Sequence, residues 1–148
     1  YQKNKMARKA KEISWDYPNE HPHIGIRLKS FSDIEYPEDD ELLVFLDTGW
    51  SGGVVLPIDI YDKLELGRWE EPDQVKFTVA NGNELAMLQS KGILHVPKLK
   101  KGFKVKFLRS VESDEDTDEI IIGIDCINIF KLLLDGPNKK SRLSPRHK

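Results

Sequence analysis

Short apolar or alternating stretches, separated by polar turns, dominate the middle of the chain. Residues 24–28 alternate, residues 42–46 are continuously apolar, and residues 75–79 and 84–88 flank an Asn-Gly pair. Alternation is typical of a strand with one buried face, and a continuous apolar run predicts a strand buried on both faces. The pattern therefore predicts a mainly β fold, with further strands at 54–56, 92–96, 103–108 and 120–124.

Two short helices are predicted among these strands. Pro57 suits the first turn of one helix, and Gly67 ends it. The inward residues of this helix are expected to be Ile60, Leu64 and Leu66. The second helix is predicted over 126–130, with Asp125 as its N-terminal cap, a role worth roughly 1 kcal/mol.

The composition is that of an ordinary globular protein. The chain has 148 residues, of which 39% are hydrophobic and 32% charged, enough for one domain with a core. A net charge of −2 gives no reason to expect nucleic acid or an anionic membrane as a partner. The single cysteine, Cys126, excludes an intrachain disulfide and agrees with a cytoplasmic location. No apolar run is long enough to predict a transmembrane helix.

Charge divides the chain into a folded middle and two ends. Residues 1–20 and 137–148 are basic and polar, which predicts flexible tails around a domain at 21–136. Residues 112–119 are crowded with acids, and mutual repulsion predicts an exposed loop. A calcium site there is a weaker alternative, because the loop lacks the glycine and the distal glutamate of an EF-hand.

Asp47 is the most informative residue for function. It ends the apolar run 42–46, where burial disfavours a charged carboxylate, so a use for that carboxyl is expected. Gly49 allows a sharp turn beside the acid, and the hydroxyl of Thr48 is expected to brace that turn.

These residues resemble the retropepsin-type aspartic proteases, in particular the prokaryotic single-lobe members. The resemblance rests on Leu46-Asp47-Thr48-Gly49, on the Val-Val-Leu-Pro at 54–57 and on the Ile-Gly-Ile-Asp at 122–125. It implies a single-lobe closed β barrel with one or two short helices that forms a C2 homodimer. It also implies that residues 132–134 form an edge strand at the dimer interface, and that Asn81-Gly82 lies in the mobile hairpin called the flap.

An aspartic protease needs two carboxyls that share one proton. This chain offers one Asp-Thr-Gly and is too short for two lobes, so a second copy must supply the other Asp47. The resemblance then assigns catalysis to Asp47, Thr48 and Gly49, with Thr48 bonding across the dimer axis. It assigns contacts with a peptide or unfolded protein substrate to Trp50, Ser51, Asn81, Gly82 and Asn83, without a cofactor or metal. The alternative function is an inactive module of the same fold that dimerises or binds peptides.

Other candidate residues are weaker. Asp125 could be a second acid, but a helix cap is the simpler role. His21 and His23 lack a third metal ligand at a recognisable spacing, and Cys126 lies in an apolar segment that favours the core. The sequence leaves Trp50 open between a wall of the substrate pocket and a core residue.

Overall fold

Eleven β-strands and two short α-helices form the part of the chain that the computed structural model describes, residues 12–68, 70–79 and 81–145. The strands are β1 (Ile13–Asp16), β2 (His23–Lys29), β3 (Glu35–Tyr36), β4 (Leu42–Leu46), β5 (Val54–Val55), β6 (Asp73–Thr78), β7 (Glu84–Val96), β8 (Lys101–Ser110), β9 (Ile121–Ile122), β10 (Phe130–Asp135) and β11 (Lys140–Pro145). The helices are α1 (Ile58–Lys63) and α2 (Ile124–Ile127). Neither helix is long or apolar enough to cross a lipid bilayer.

Six of the strands close into a barrel in the order β2-β4-β9-β5-β8-β7. The barrel closes where β2 pairs with β7, with Leu28 opposite Leu94. Two more strands extend the same sheet, β3 beside β2 and β6 beside β7. The predicted mainly β, closed-barrel architecture with two short helices is therefore confirmed, while the homodimer stays a prediction.

Alternate residues of the barrel strands fill its interior. Burying these side chains removes apolar surface from water, which is the main favourable contribution to folding. The fully buried members include Ile24, Ile26, Leu28, Val54, Leu94, Phe107 and Ile122.

Strand β4 is buried on only one face, so the prediction of burial on both faces is wrong. Val44 and Leu46 point into the barrel, whereas Leu43 is 42% exposed. The outer face of β4 is covered in part by the rings of His21 and His23, each with its centroid 5.8 Å from that of Phe45. The continuous apolar run thus belongs to a barrel strand whose outer face is only partly covered by neighbouring side chains.

Strand β9 lies between β4 and β5, although β4 and β5 are consecutive in the chain. It runs parallel to β4, with Leu46 opposite Ile122, and antiparallel to β5, with Val54 opposite Ile122. The segment 47–53 must therefore cross the end of β9 to connect its two neighbours. This crossing places the Asp-Thr-Gly sequence directly against the residues that follow β9.

The two ends of the chain form a separate sheet. Strand β11 pairs antiparallel with both β1 and β10, with Trp15 opposite Ser141. Ile13, Trp15 and Leu143 are buried, so the prediction of flexible tails is wrong for Ile13–Asp16 and for Lys140–Pro145. Residues 12, 17–20 and 137–139 of the predicted tails lie in turns and irregular segments beside these strands, whereas residues 1–11 and 146–148 lie outside the described residues. Strand β10 lies at an edge of this sheet, as predicted for 132–134.

The hairpin of β6 and β7 is confirmed, but β7 is one long strand and not two. The sequence predicted separate strands at 84–88 and 92–96, the second beginning at Gly92. Here Gly92 makes room for a neighbour, because a Cβ on it would lie 2.2 Å from Cε2 of Phe107. The glycine therefore permits close packing inside the barrel and does not interrupt the strand.

Helix α1 begins after Pro57, as predicted, and buries Ile60. Leu64, directly after its end, is also buried, whereas Leu66 is half-buried. The predicted end at Gly67 is wrong: the helix ends at Lys63, with Leu64 as its C-cap and Glu65 in the left-handed region at φ of 52°. The exposed loop 112–119 has a role that the sequence did not predict. In it, Oδ1 of Asp116 accepts the N–H of Ile58 at 2.9 Å and so satisfies the first turn of the helix.

Candidate functional site

Asp47 lies at the end of β4, in a turn held by three hydrogen bonds. Its backbone N–H donates to the carbonyl of Ile122 at 2.9 Å, and its own carbonyl accepts the N–H of Trp50 at 3.2 Å. Its carboxylate Oδ1 accepts the N–H of Gly49 at 2.9 Å. The side chain is half-buried, so the barrel fixes this carboxyl while leaving part of it open to solvent.

Thr48 and Gly49 are both exposed at the tip of this turn. The side-chain hydrogen bond that braces the turn comes from the Asp47 carboxylate and not, as predicted, from the Thr48 hydroxyl. A Cβ on Gly49 would lie 3.2 Å from that same carboxylate oxygen. The glycine thus keeps space beside the acid, which a larger residue would crowd.

The rest of the loop is attached to the start of α2 through the backbone. The N–H groups of Gly123, Ile124 and Asp125 donate to the carbonyls of Gly53, Trp50 and Gly52 at 3.0, 2.7 and 3.2 Å. These loop carbonyls satisfy donors that a helix start normally leaves free. Consequently the predicted cap by Asp125 is wrong: Gly123 occupies the cap position, no side chain caps the helix, and Asp125 is exposed.

Trp50 connects this loop to the hairpin. Its indole Nε1 donates to the carbonyl of Gly53 at 3.2 Å, and its ring centroid lies 4.7 Å from that of Phe77 on β6. A Cβ on Gly52 or Gly123 would come within 2.6 Å or 2.2 Å of the Trp50 ring, so both glycines make room for it. The ring is half-buried and belongs to a small apolar cluster outside the barrel with Val55, Val75, Phe77, Leu85, Met87, Leu108 and Ile121. Trp50 thus packs between this loop and the hairpin.

The remaining predicted substrate-binding residues are exposed. Ser51 lies in the loop, and Asn81, Gly82 and Asn83 form the turn of the hairpin, where Gly82 has φ of 86°. Oδ1 of Asn81 accepts the N–H of Asn83 at 3.0 Å and fixes this turn. The tip lines a cavity of about 660 Å³ with Glu115 of the acidic loop. The hairpin contacts the loop 47–53, called the site loop, through Phe77, which lies away from the tip and which sequence reasoning missed.

The weaker candidates are placed away from this chemistry. Cys126 is 2% exposed, and burial raises the pKa of its thiol to about 12, so it is no nucleophile near neutral pH. The carbonyl of His21 lies 2.8 Å from Nδ1 of His23, and both rings pack on Phe45. Throughout 12–68, 70–79 and 81–145 no group of three or more His, Cys, Asp or Glu side chains is arranged to hold a metal.

The fold and the site define a closed six-stranded β barrel with a half-buried aspartate held in a turn at the end of one strand. No family model matches the chain, and no solved structure matches it. An uncharacterized protein of Archaeoglobus fulgidus is 33% identical over 114 residues, which is 75% of this chain and 83% of that protein. The chain belongs to the same family as this archaeal protein.

Proposed function

We propose that this protein is a homodimeric aspartic endopeptidase in which two Asp47 carboxyls, one from each copy, activate a water molecule. The observation that carries the proposal is the position of Asp47. Its carboxyl is half-buried at the end of a core strand, is fixed by the Gly49 N–H and lies beside two exposed residues, Thr48 and Gly49. A fixed, accessible carboxyl of this kind suits acid–base catalysis.

The chemistry requires the second copy. Two carboxyls a few ångströms apart cannot both ionise, so they share one proton and their apparent pKa values separate. The ionised member takes a proton from water, while the protonated member polarises the scissile carbonyl of the peptide. One chain supplies one such aspartate at the end of β4, so the dyad is complete only across a two-fold axis.

The substrate proposed is an extended peptide or an unfolded protein segment. It would lie between the site loop and the β6–β7 hairpin, with Trp50, Ser51 and residues 81–83 around it. The apolar underside of the hairpin, which includes Phe77 and Leu85, supports this placement because it faces the same cluster as Trp50. Since Phe77 packs on Trp50, the hairpin must move before a peptide can enter.

The same contact favours the second candidate function, an inactive peptide-binding or dimerisation module. The rings of Trp50 and Phe77 fill space between the loop and the hairpin, which a substrate would otherwise occupy. If this contact never opens, the fold can still dimerise while no peptide reaches Asp47.

We expect the purified protein to cleave an unfolded substrate protein, and the rate to be bell-shaped in pH because only the singly protonated dyad is active. A statine-type inhibitor, whose hydroxyl takes the place of the attacking water, should abolish cleavage, whereas chelators and thiol reagents should leave it unchanged. The measurement is fragment appearance over time by mass spectrometry. Loss of cleavage on chelation would contradict the proposed mechanism and indicate a metal-dependent one. A dimer that never cleaves the substrate would support the inactive module.

We also expect a dimer in solution, with the edge strand β10 at its interface. Leu133 and Leu134 on this strand are 56% and 39% exposed, and an unpaired strand edge readily pairs with a second chain. Sedimentation velocity at micromolar concentration should give twice the monomer mass, and Leu133→Lys with Leu134→Lys should shift the protein toward monomer. Leu43→Lys on β4 is the matched control, because Leu43 is 42% exposed away from this edge. A wild-type protein that is monomeric at every concentration would contradict the dyad.

A further inference from the structure

The outer face of β2, β7 and β8 carries four lysines around one isoleucine. The register places Lys29 opposite Ile93 between β2 and β7, and places Ile93 opposite Lys104 and Lys91 opposite Lys106 between β7 and β8. Cross-strand partners share a face of the sheet, so these five side chains lie together and are called the lysine face. They alternate along their strands with residues buried in the barrel: Leu28, Leu94, Val105 and Phe107.

The charges of this face are poorly balanced. Lys29 forms an ion pair with Asp33 at 3.2 Å, but Lys91, Lys104 and Lys106 form none with any carboxylate in the described part of the chain. Lys91 and Lys106 stand directly opposite each other, and like charges in that position destabilise a sheet. A bound anion would remove this repulsion, so the face is arranged to receive negative charge.

The spacing suits an extended acidic peptide. Lys104 and Lys106 are two residues apart on one strand, a separation of roughly 6.6 Å that equals the repeat of same-face side chains along a second extended chain. Ile93, half-buried at the centre, offers an aliphatic contact for an apolar side chain between the acids.

Nucleic acid fits less well. Surfaces that bind single strands use aromatic rings on which bases stack, and the lysine face has an isoleucine at its centre instead. The basic area is also short, because the cavity that Lys91 lines on one side is bordered by acids, Glu65, Glu70, Glu71 and Asp73. At the other side, Lys104 and Lys106 share a cavity of about 260 Å³ with Asp125. A long phosphate backbone would extend beyond the lysines onto these carboxylates, which favours a peptide short enough to lie on the lysine face alone.

We propose that the lysine face is a binding surface for short acidic polypeptide segments that carry an apolar residue between their acids. The surface lies outside the barrel and uses none of the residues assigned to peptide hydrolysis. The proposal is therefore independent of the proposed endopeptidase.

The test is binding of a fluorescent peptide of alternating glutamate and leucine, measured by anisotropy with the full chain. Binding should weaken when salt rises from about 50 to about 300 mM, because exposed charges are screened. The triple variant Lys91→Ala, Lys104→Ala, Lys106→Ala should lose about tenfold in affinity. The matched control, Lys63→Ala, Lys76→Ala, Lys131→Ala, removes the same charge from other exposed lysines and should bind like the wild type. Circular dichroism verifies that both variants are folded.

Further variants and ligands test whether the lysine face binds the acidic peptide through both its charges and Ile93. Lys91→Arg, Lys104→Arg, Lys106→Arg should keep binding, and Ile93→Ser should weaken the glutamate–leucine peptide more than a polyglutamate of equal charge. Equal losses in the triple variant and its control, or no binding by the wild type, would overturn the proposal. Tighter binding of a single-stranded oligonucleotide of equal charge would also overturn it and assign the face to nucleic acid.

Discussion

Asp47→Asn should lower the rate of peptide hydrolysis by about 10³-fold or more while leaving the fold intact. Asparagine can neither take a proton from water nor share one with its partner, so the acid–base chemistry is lost. The amide oxygen of asparagine can still accept the Gly49 N–H that Oδ1 accepts now at 2.9 Å, so the turn is kept. The measurement pairs cleavage of an unfolded substrate with thermal unfolding of the variant.

Asp125→Asn is the matched control for this experiment. Asp125 carries the same charge close to the site loop, but its side chain is exposed and does not cap α2. Its replacement should therefore leave most of the activity, because only Asp47 is proposed to touch the reacting water. Equal loss from the two variants would contradict the assignment of Asp47 as the catalytic acid, as would full activity in Asp47→Asn.

Local patterns in the sequence were enough to predict most of the barrel. The alternation at 24–28, the apolar run at 42–46 and the Asn-Gly turn each act within one strand or hairpin, and the structure has strands or turns there. The patterns failed where a distant neighbour decides the outcome. Gly92 is explained only by the Phe107 ring on another strand, and the strands at the two ends of the chain depend on each other for pairing.

The candidate site shows the same division. The turn after Asp47 was predictable, because Gly49 follows at a fixed offset and the geometry is local. The capping of α2 was not predictable, because the N–H groups at its start donate to loop carbonyls from residues 50–53, some seventy positions away in the chain. Phe77 could have been found. Its alternation with Val75 gives β6 one apolar face, and a hairpin with such a face must cover something.

Among glycine-to-alanine substitutions near the site, Gly123→Ala should be the most destabilising. Gly123 has φ of −95°, which any residue adopts, so the cost is purely steric. The new Cβ would lie 2.2 Å from Cδ1 of Trp50 and 2.4 Å from the carbonyl oxygen of Gly52, and that oxygen is held by the Asp125 N–H. Neither neighbour can move without breaking the contacts of the site loop. Overpacking of this kind costs roughly 3 kcal/mol of unfolding free energy.

Denaturant unfolding of Gly123→Ala measures this loss, and Gly136→Ala is the control, because a Cβ there meets nothing within 4 Å. The control should unfold like the wild type. Trp50→Ala removes one of the two clashes that Gly123→Ala creates. It should therefore lower the free energy of unfolding less in the Gly123→Ala background than in the wild type. A double-mutant cycle measures this coupling. Additive losses would show that Trp50 does not press on Gly123. Because the same loop carries Asp47, any shift that relieves the clash also displaces the carboxyl, and peptide hydrolysis should fall together with stability.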